Sequence, residues 1–291
     1  MQVVLHTGAH ETDEDRLIKC LLKNKGDFAK SGTALPGPSR YRRLIRDAMH
    51  ALERGDASPR AREVLLDAIL EEDMPDRVVL SNDSFFGVIA MAVSGGVFYP
   101  KAEKKLLEFR QLFPDDDIEL FMAIRNPASF LPAALKTSKF AALPDLIGGC
   151  DPQQLRWSEL FSRIRTALPD IPITIWCNED TPLIWGQIMR DIAAIAPDTK
   201  ISGAFDLLYE IMSKDGMKRF RAYLKSHPVM SEAQKRRVIA AFLGKFALEE
   251  AIEEELDVPG WTEATVEELT NLYEDDVFAI QNIPGLRMIM P

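Results

Sequence analysis

The 291-residue chain holds three cysteines, Cys20, Cys150 and Cys177, and no two of them stand in a C-x-x-C spacing. An odd, scattered set argues against a disulfide framework and for a reducing compartment, and the absent paired spacing argues against a zinc site of the usual kind. No run of about 18 apolar residues occurs, so no membrane-spanning helix is read. The first residues lack a basic stretch followed by an apolar one, so no signal peptide is read and a cytoplasmic location is expected. Low-complexity segments and internal repeats are missing. Positive charge is in short supply: 35 Lys and Arg face 45 Asp and Glu, for a net charge of −10. Nucleic acid and anionic membranes are poor partners for such a surface.

Hydrophobic residues make up 46% of the chain and charged residues 27%, the composition of a globular protein able to bury a core without staples. Short apolar runs at residues 2–5, 78–80, 118–124 and 171–176 read as buried strands. Helical patterns separate them, at about residues 41–52, 59–70 and 102–112, with further helices starting near Pro127 and Pro182. Strands alternating with helices predict an α/β fold with a mainly parallel sheet flanked by helices. From about Ala204 the pattern is almost entirely helical, with a capping box at Ser231 and Gln234 opening a long helix over residues 231–256 and a last helix over 262–280. The expected organisation is an α/β core over residues 1–200 and a helical C-terminal region over 201–291 packed on it.

In open parallel sheets ligands sit beyond the carboxyl ends of the strands. Each apolar run here ends in polar residues: His6-Thr7-Gly8, Ser81-Asn82-Asp83, Arg125-Asn126-Pro127 and Asn178-Glu179-Asp180. The stretch from Leu5 to Asp13 resembles the first loop of bacterial sulfotransferase-like proteins, which have a P-loop-like fold. There the pattern runs leucine-histidine-isoleucine-glycine, two variable residues, then lysine-threonine-glycine-threonine-threonine. The stretch Phe121-Met122-Ala123-Ile124-Arg125-Asn126-Pro127 resembles the family's strand-plus-arginine motif. The resemblance covers roughly residues 3–191. It implies sulfuryl transfer from PAPS to a hydroxyl or amine on a small-molecule or glycan-type acceptor. Thr7, Gly8, Ala9, His10, Glu11 and Thr12 would line the 5′-phosphosulfate, Arg125 with Ser129 nearby would face the 3′-phosphate, and His10 would be the base.

The sequence departs from that pattern at charged positions. Glu11 stands where the family has lysine, and Asp13, Glu14 and Asp15 stand where it has glycine and hydroxyl residues. The serine of the second signature is replaced by Ala133, with Ser129 close by but out of register. An anion in place of the lysine reverses the electrostatics of transfer. Thr12 and Asp15 read as a capping pattern for the following helix, so that the protein's own carboxylates take the place phosphate would use. Two rival readings follow: a non-catalytic relative serving as a binding or scaffold module, and a transferase with another donor, held through a divalent metal bridging Glu11 and Asp13.

Other features have a sharp reading and a plain one. His6 follows a buried strand and reads as hydrogen-bonded in place rather than as a ligand. Arg40, Arg42, Arg43 and Arg46 form a basic cluster that either clamps an anionic substrate at the strand ends or pairs with the abundant acids on a solvated face. Cys20, one turn after Arg16, is a reactive thiolate or a small buried residue. Glu249, Glu250, Glu253, Glu254 and Glu255 read as a solvated helix face.

Overall fold

The computed structural model describes residues 1–56, 58, 60–70, 74–252 and 258–291. In chain order the strands are β1 (Gln2–His6), β2 (Thr33–Ala34), β3 (Arg77–Ser81), β4 (Val93–Ser94), β5 (Val97–Phe98), β6 (Asp117–Ile124), β7 (Ile173–Cys177) and β8 (Leu286–Met288). The helices are α1 (Arg16–Leu22), α2 (Lys25–Lys30), α3 (Pro38–Arg54), α4 (Ala61–Ile69), α5 (Ala102–Leu112), α6 (Pro127–Thr137), α7 (Leu143–Ile147), α8 (Trp157–Ala167), α9 (Thr181–Ala193), α10 (Asp206–Ile211), α11 (Lys214–Ser226), α12 (Glu232–Phe246), α13 (Glu249–Ile252) and α14 (Glu263–Gln281).

Six strands make one sheet in the order β2-β3-β1-β6-β7-β8, and every neighbouring pair is parallel. The expected α/β class is therefore the observed one. Alternate side chains of β6 show why its sequence is an unbroken apolar run from Leu120 on: Ile118, Leu120, Met122 and Ile124 enter one core, and Phe121 and Ala123 enter the other, while Glu119 near the strand start pairs with Arg77 at 2.8 Å. Both faces are covered, so apolar residues are favoured at both parities. The larger core gathers α3, α4, α5, α6, α8 and α14, with Trp157 stacked on Phe98 at 3.8 Å between ring centres. The smaller face packs against α1, α2 and α9. Each fully buried side chain of this size contributes about 1.5–3 kcal/mol.

The C-terminal region is helical, with its own small core of Leu208, Met212, Met217, Phe220 and Ile239. The capping box of Ser231 and Gln234 forms, but the helix it opens ends at Phe246 instead of running to residue 256. The chain turns there because Ala247 bridges to Met212, and Ser213 N–H donates to the Phe246 carbonyl at 2.9 Å. Gly216 permits this turn: a Cβ on it would stand 2.4 Å from Cβ of Phe246. Glu249 and Glu250 are exposed, whereas Glu253, Glu254 and Glu255 lie outside the described residues. Leu286–Met288, beyond the last expected helix, pairs with β7 as the edge strand β8. No described helix is long and apolar enough to cross a membrane.

Candidate functional site

The chain first builds from β1 towards β3 and β2, then crosses to β6 and β7 on the other side. The sheet order thus reverses between β1 and β6, which is where an open parallel sheet leaves a crevice at its carboxyl edge. Because the registers are parallel, His6, Ser81, Ile124 and Cys177 end their strands on that same edge. The residues expected to group there, Thr7-Gly8, Ser81, Arg125 and Asn178, do so.

The loop after β1 stays bound to β6, with Thr7 and Ala9 N–H donating to the carbonyls of Phe121 and Ala123, each at 3.0 Å. Glu11, Glu14 and Asp15 then take left-handed backbone conformations (φ 60°, 50° and 63°). Such a conformation costs an ordinary L-residue about 1–2 kcal/mol, so the surroundings must hold it. The holding contacts are visible. Thr12 hydroxyl donates to the Ala9 carbonyl at 2.6 Å, and Oδ1 of Asp13 accepts from Leu17 N–H at 2.7 Å. The expected Thr12–Asp15 cap is thus replaced by Asp13, because Asp15 is the left-handed residue entering α1 and its side chain makes no cap bond. Asp15 instead pairs with Arg42 at 2.5 Å, which holds its carboxyl below the usual range.

Arg125 spans the crevice. Its Nη1 donates to the Glu11 carbonyl at 2.5 Å and its Nε to the Ser129 hydroxyl at 3.1 Å. Trp157 Nε1–H donates to the Arg125 carbonyl at 2.9 Å, fixing the strand end from the core side. The Glu11 carboxylate accepts from the Thr137 hydroxyl at 2.8 Å. The structure therefore brings Glu11, Arg125 and Ser129 together.

His10 is buried, and both ring nitrogens are engaged: Nε2 meets the Gly87 carbonyl at 3.1 Å, and Nδ1 meets the Tyr99 hydroxyl at 2.8 Å. A carbonyl only accepts, so Nε2 carries the proton and Nδ1 accepts from Tyr99. Burial lowers the His10 pKa. His6, hydrogen-bonded through Nδ1 to Ser81 Oγ at 2.9 Å, is lowered to about 4 by burial and then by the Arg42 guanidinium. Its Nε2, the Thr7 hydroxyl and Oδ2 of Asp13 are buried without a partner. Burial raises the Asp13 carboxyl to about 6. Among the described residues no three His, Cys, Asp or Glu groups gather to hold a metal ion. Glu11 and Asp13 each bond inside the protein.

The arginine cluster divides. Arg42 turns to the strand ends, donating through Nε to the Ser81 carbonyl at 2.9 Å, while Arg43 and Arg46 are exposed and pair with Asp47. Arg40 is exposed at the start of α3. Cys20 is buried beside Asp206, which together with burial pushes its thiol up to about 12, the reverse of activation. Arg16 pairs with Glu14 and Glu210 instead.

Several residues at this edge carry no sequence signal. Tyr99 holds His10, Tyr41 exchanges hydrogen bonds with both backbone groups of Ser81, and α14 supplies Thr270 to Asn126 and Tyr273 to Glu179. Their positions are set by packing of distant segments. No protein-family model matches the chain. No curated protein sequence matches it.

Proposed function

We propose that the chain is a sulfotransferase-like protein of the P-loop-like type that has given up sulfuryl transfer and serves as a binding module. The observation that carries this reading is that the groups expected to meet PAPS are occupied by the protein itself. The Ala9 and His10 amides donate to the Ala123 carbonyl and the Tyr99 hydroxyl, and Arg125 is turned onto the Glu11 carbonyl. Glu11 in the lysine position adds an anion where a donor phosphate needs a cation. At an effective dielectric of about 20, a carboxylate about 4 Å from a phosphate costs a few kcal/mol before screening. The loop residues therefore do not fit PAPS, and no transfer step is assigned to His10, whose two nitrogens are committed.

The test is calorimetric titration with 3′-phosphoadenosine 5′-phosphate, with and without Mg²⁺. The natural protein is expected to show no binding that depends on Arg125. The variant Glu11→Lys/Asp13→Gly/Glu14→Thr is expected to gain affinity that weakens with salt and disappears when Arg125→Ala is added. Micromolar binding by the natural protein, lost in Arg125→Ala, overturns the reading and restores the enzyme.

A further inference from the structure

A cavity of about 610 Å³ opens between α3, the segment after β3 and the start of α5. Its wall carries Arg42, Arg43, Arg46, Lys101, Lys104 and Lys105, and among its described lining residues Glu53 is the one acid. This is an unusual gathering in a chain of net charge −10. The other carboxylates that pair with these cations are not among the lining residues: Asp15 with Arg42, Asp47 shared by Arg43 and Arg46, and Glu108 with Lys104 and Lys105. Glu53 itself lies between Lys104 at 2.7 Å and Lys105 at 3.8 Å. Arg42, Arg43, Arg46, Lys104 and Lys105 are thus charge-paired, and of their acid partners only Glu53 belongs to the lining.

The placement of the lysines is a second observation. Lys101 is the residue capping α5, and Lys104 and Lys105 sit in its first turns. A helix start favours anions and disfavours cations by about 0.3–1 kcal/mol per group. Glu103 stands in the same turn, and Glu53 and Glu108 offset Lys104 and Lys105, which leaves Lys101 at the cap as the cation that an added anion would suit best. The floor is apolar, with Ile45, Met49, Phe85 and Phe86, and the lining also includes the exposed Val88 and Met91. A floor that sheds water next to a cationic wall suits a ligand with both characters.

We propose that this cavity binds a small, soluble phosphomonoester with an apolar body, its dianionic head held by Arg43, Arg46 and Lys101. The proposal rests on the reading of the chain as a binding module, but it concerns a different place from the loop of Gly8–Thr12. The phosphoadenosine used above is itself a phosphomonoester, so the two sites are separated by variants: Arg125→Ala reports on the loop, and Arg46→Glu/Lys101→Glu reports on the cavity. Arg46 and Lys101 are both exposed, so these substitutions leave the core untouched.

The probe is 1-naphthyl phosphate, titrated into the natural protein beside inorganic phosphate and 1-naphthol. Saturable binding of the ester is expected, tighter than that of phosphate, with none for the alcohol, and weakening with salt. Arg46→Glu/Lys101→Glu should weaken it roughly ten-fold or more, the loss of one or two charge-assisted contacts. The control Lys225→Glu, on α11, should leave it unchanged. Absence of saturable ester binding, equal binding of 1-naphthol, or an affinity unmoved by Arg46→Glu/Lys101→Glu overturns the proposal. Vesicles of phosphatidylcholine with phosphatidic acid should not retain the protein; retention that the same double variant abolishes would replace the soluble ligand by a lipid headgroup and overturn it too.

Discussion

Two neighbouring regions at the carboxyl edge of the sheet treat charge in opposite ways. The loop after β1 is acidic, strained and closed on itself: Asp13 bonds the start of α1, Asp15 bonds Arg42, and Glu11 bonds Thr137. The cavity beside α3 and α5 is basic, apolar at its floor and open, with Glu53 the one acid among its described lining residues. Arg42 and Gly87 line the cavity and bond Asp15 and His10 of the loop, and Tyr99 ties the loop to α5. Tyr99 (φ 44°) holds His10 of the loop through its hydroxyl, and its carbonyl accepts from Ala102 N–H at the start of α5. The difference teaches that a topologically favoured crevice is not by itself a ligand site. What matters is whether the side chains around it are already satisfied.

The comparison breaks most severely at Tyr99. Tyr99→Ala removes a buried ring packed near Phe86 and Trp157 and should cost about 3–5 kcal/mol in urea unfolding. Tyr99→Phe keeps the ring and leaves the His10 N–H and Nδ1 without their partner, for about 1–3 kcal/mol. A Tyr99→Phe variant as stable as the natural protein would show that the hydroxyl does not hold the loop.

Asp13 sharpens the contrast through pH. Its carboxyl titrates at about 6 in the folded protein against 3.8 ordinarily, so the folded state binds its proton more tightly than the unfolded chain. A raised acid pKa makes the fold lose stability as pH climbs from about 4 to about 6. Asp13→Asn, whose Oδ1 still accepts from Leu17, should match the natural protein below that window and exceed it above, by about 2–3 kcal/mol at most. His6, lowered from 6.5 to about 4, works in the other direction, costing stability as pH falls through the interval. The natural protein should therefore show a shallower pH slope than Asp13→Asn across this window. Urea midpoints between pH 4 and 8 check it; equal slopes in the two proteins would place Asp13 in contact with water.

The smallest effect belongs to the cavity. Arg43 is exposed and its pair with Asp47, at 3.4 Å, is the solvent-facing kind. Arg43→Gln should change stability by less than about 0.5 kcal/mol while weakening 1-naphthyl phosphate binding. A larger stability loss would mean that the basic wall is structural.

Much of the fold was legible because apolar periodicity reports burial directly. Within the run at 118–124, residues 120–124 are apolar at both parities since β6 is covered on both faces, and α5 and α14 fall within a residue of their patterns. The short β2 and β8 were not, because two- and three-residue pairings at the sheet edges leave too little periodicity to see. The early end of α12 was invisible because it depends on Gly216 receiving Phe246, a contact between separate helices.

The sequence by itself determined the parallel α/β class, the strand-end placement of Thr7-Gly8, Ser81, Arg125 and Asn178, and the acidic character of the first loop. These follow from local burial patterns and from the charges themselves. Only the tertiary structure decided where those charges point. Arg42 parts from Arg43 and Arg46 because one face of α3 meets the Ser81 carbonyl and the other meets solvent. Arg46 and Lys101, far apart in the chain, line one cavity because α3 and α5 pack side by side over the sheet. A charge's sign is written in its residue type; its partner is chosen by packing.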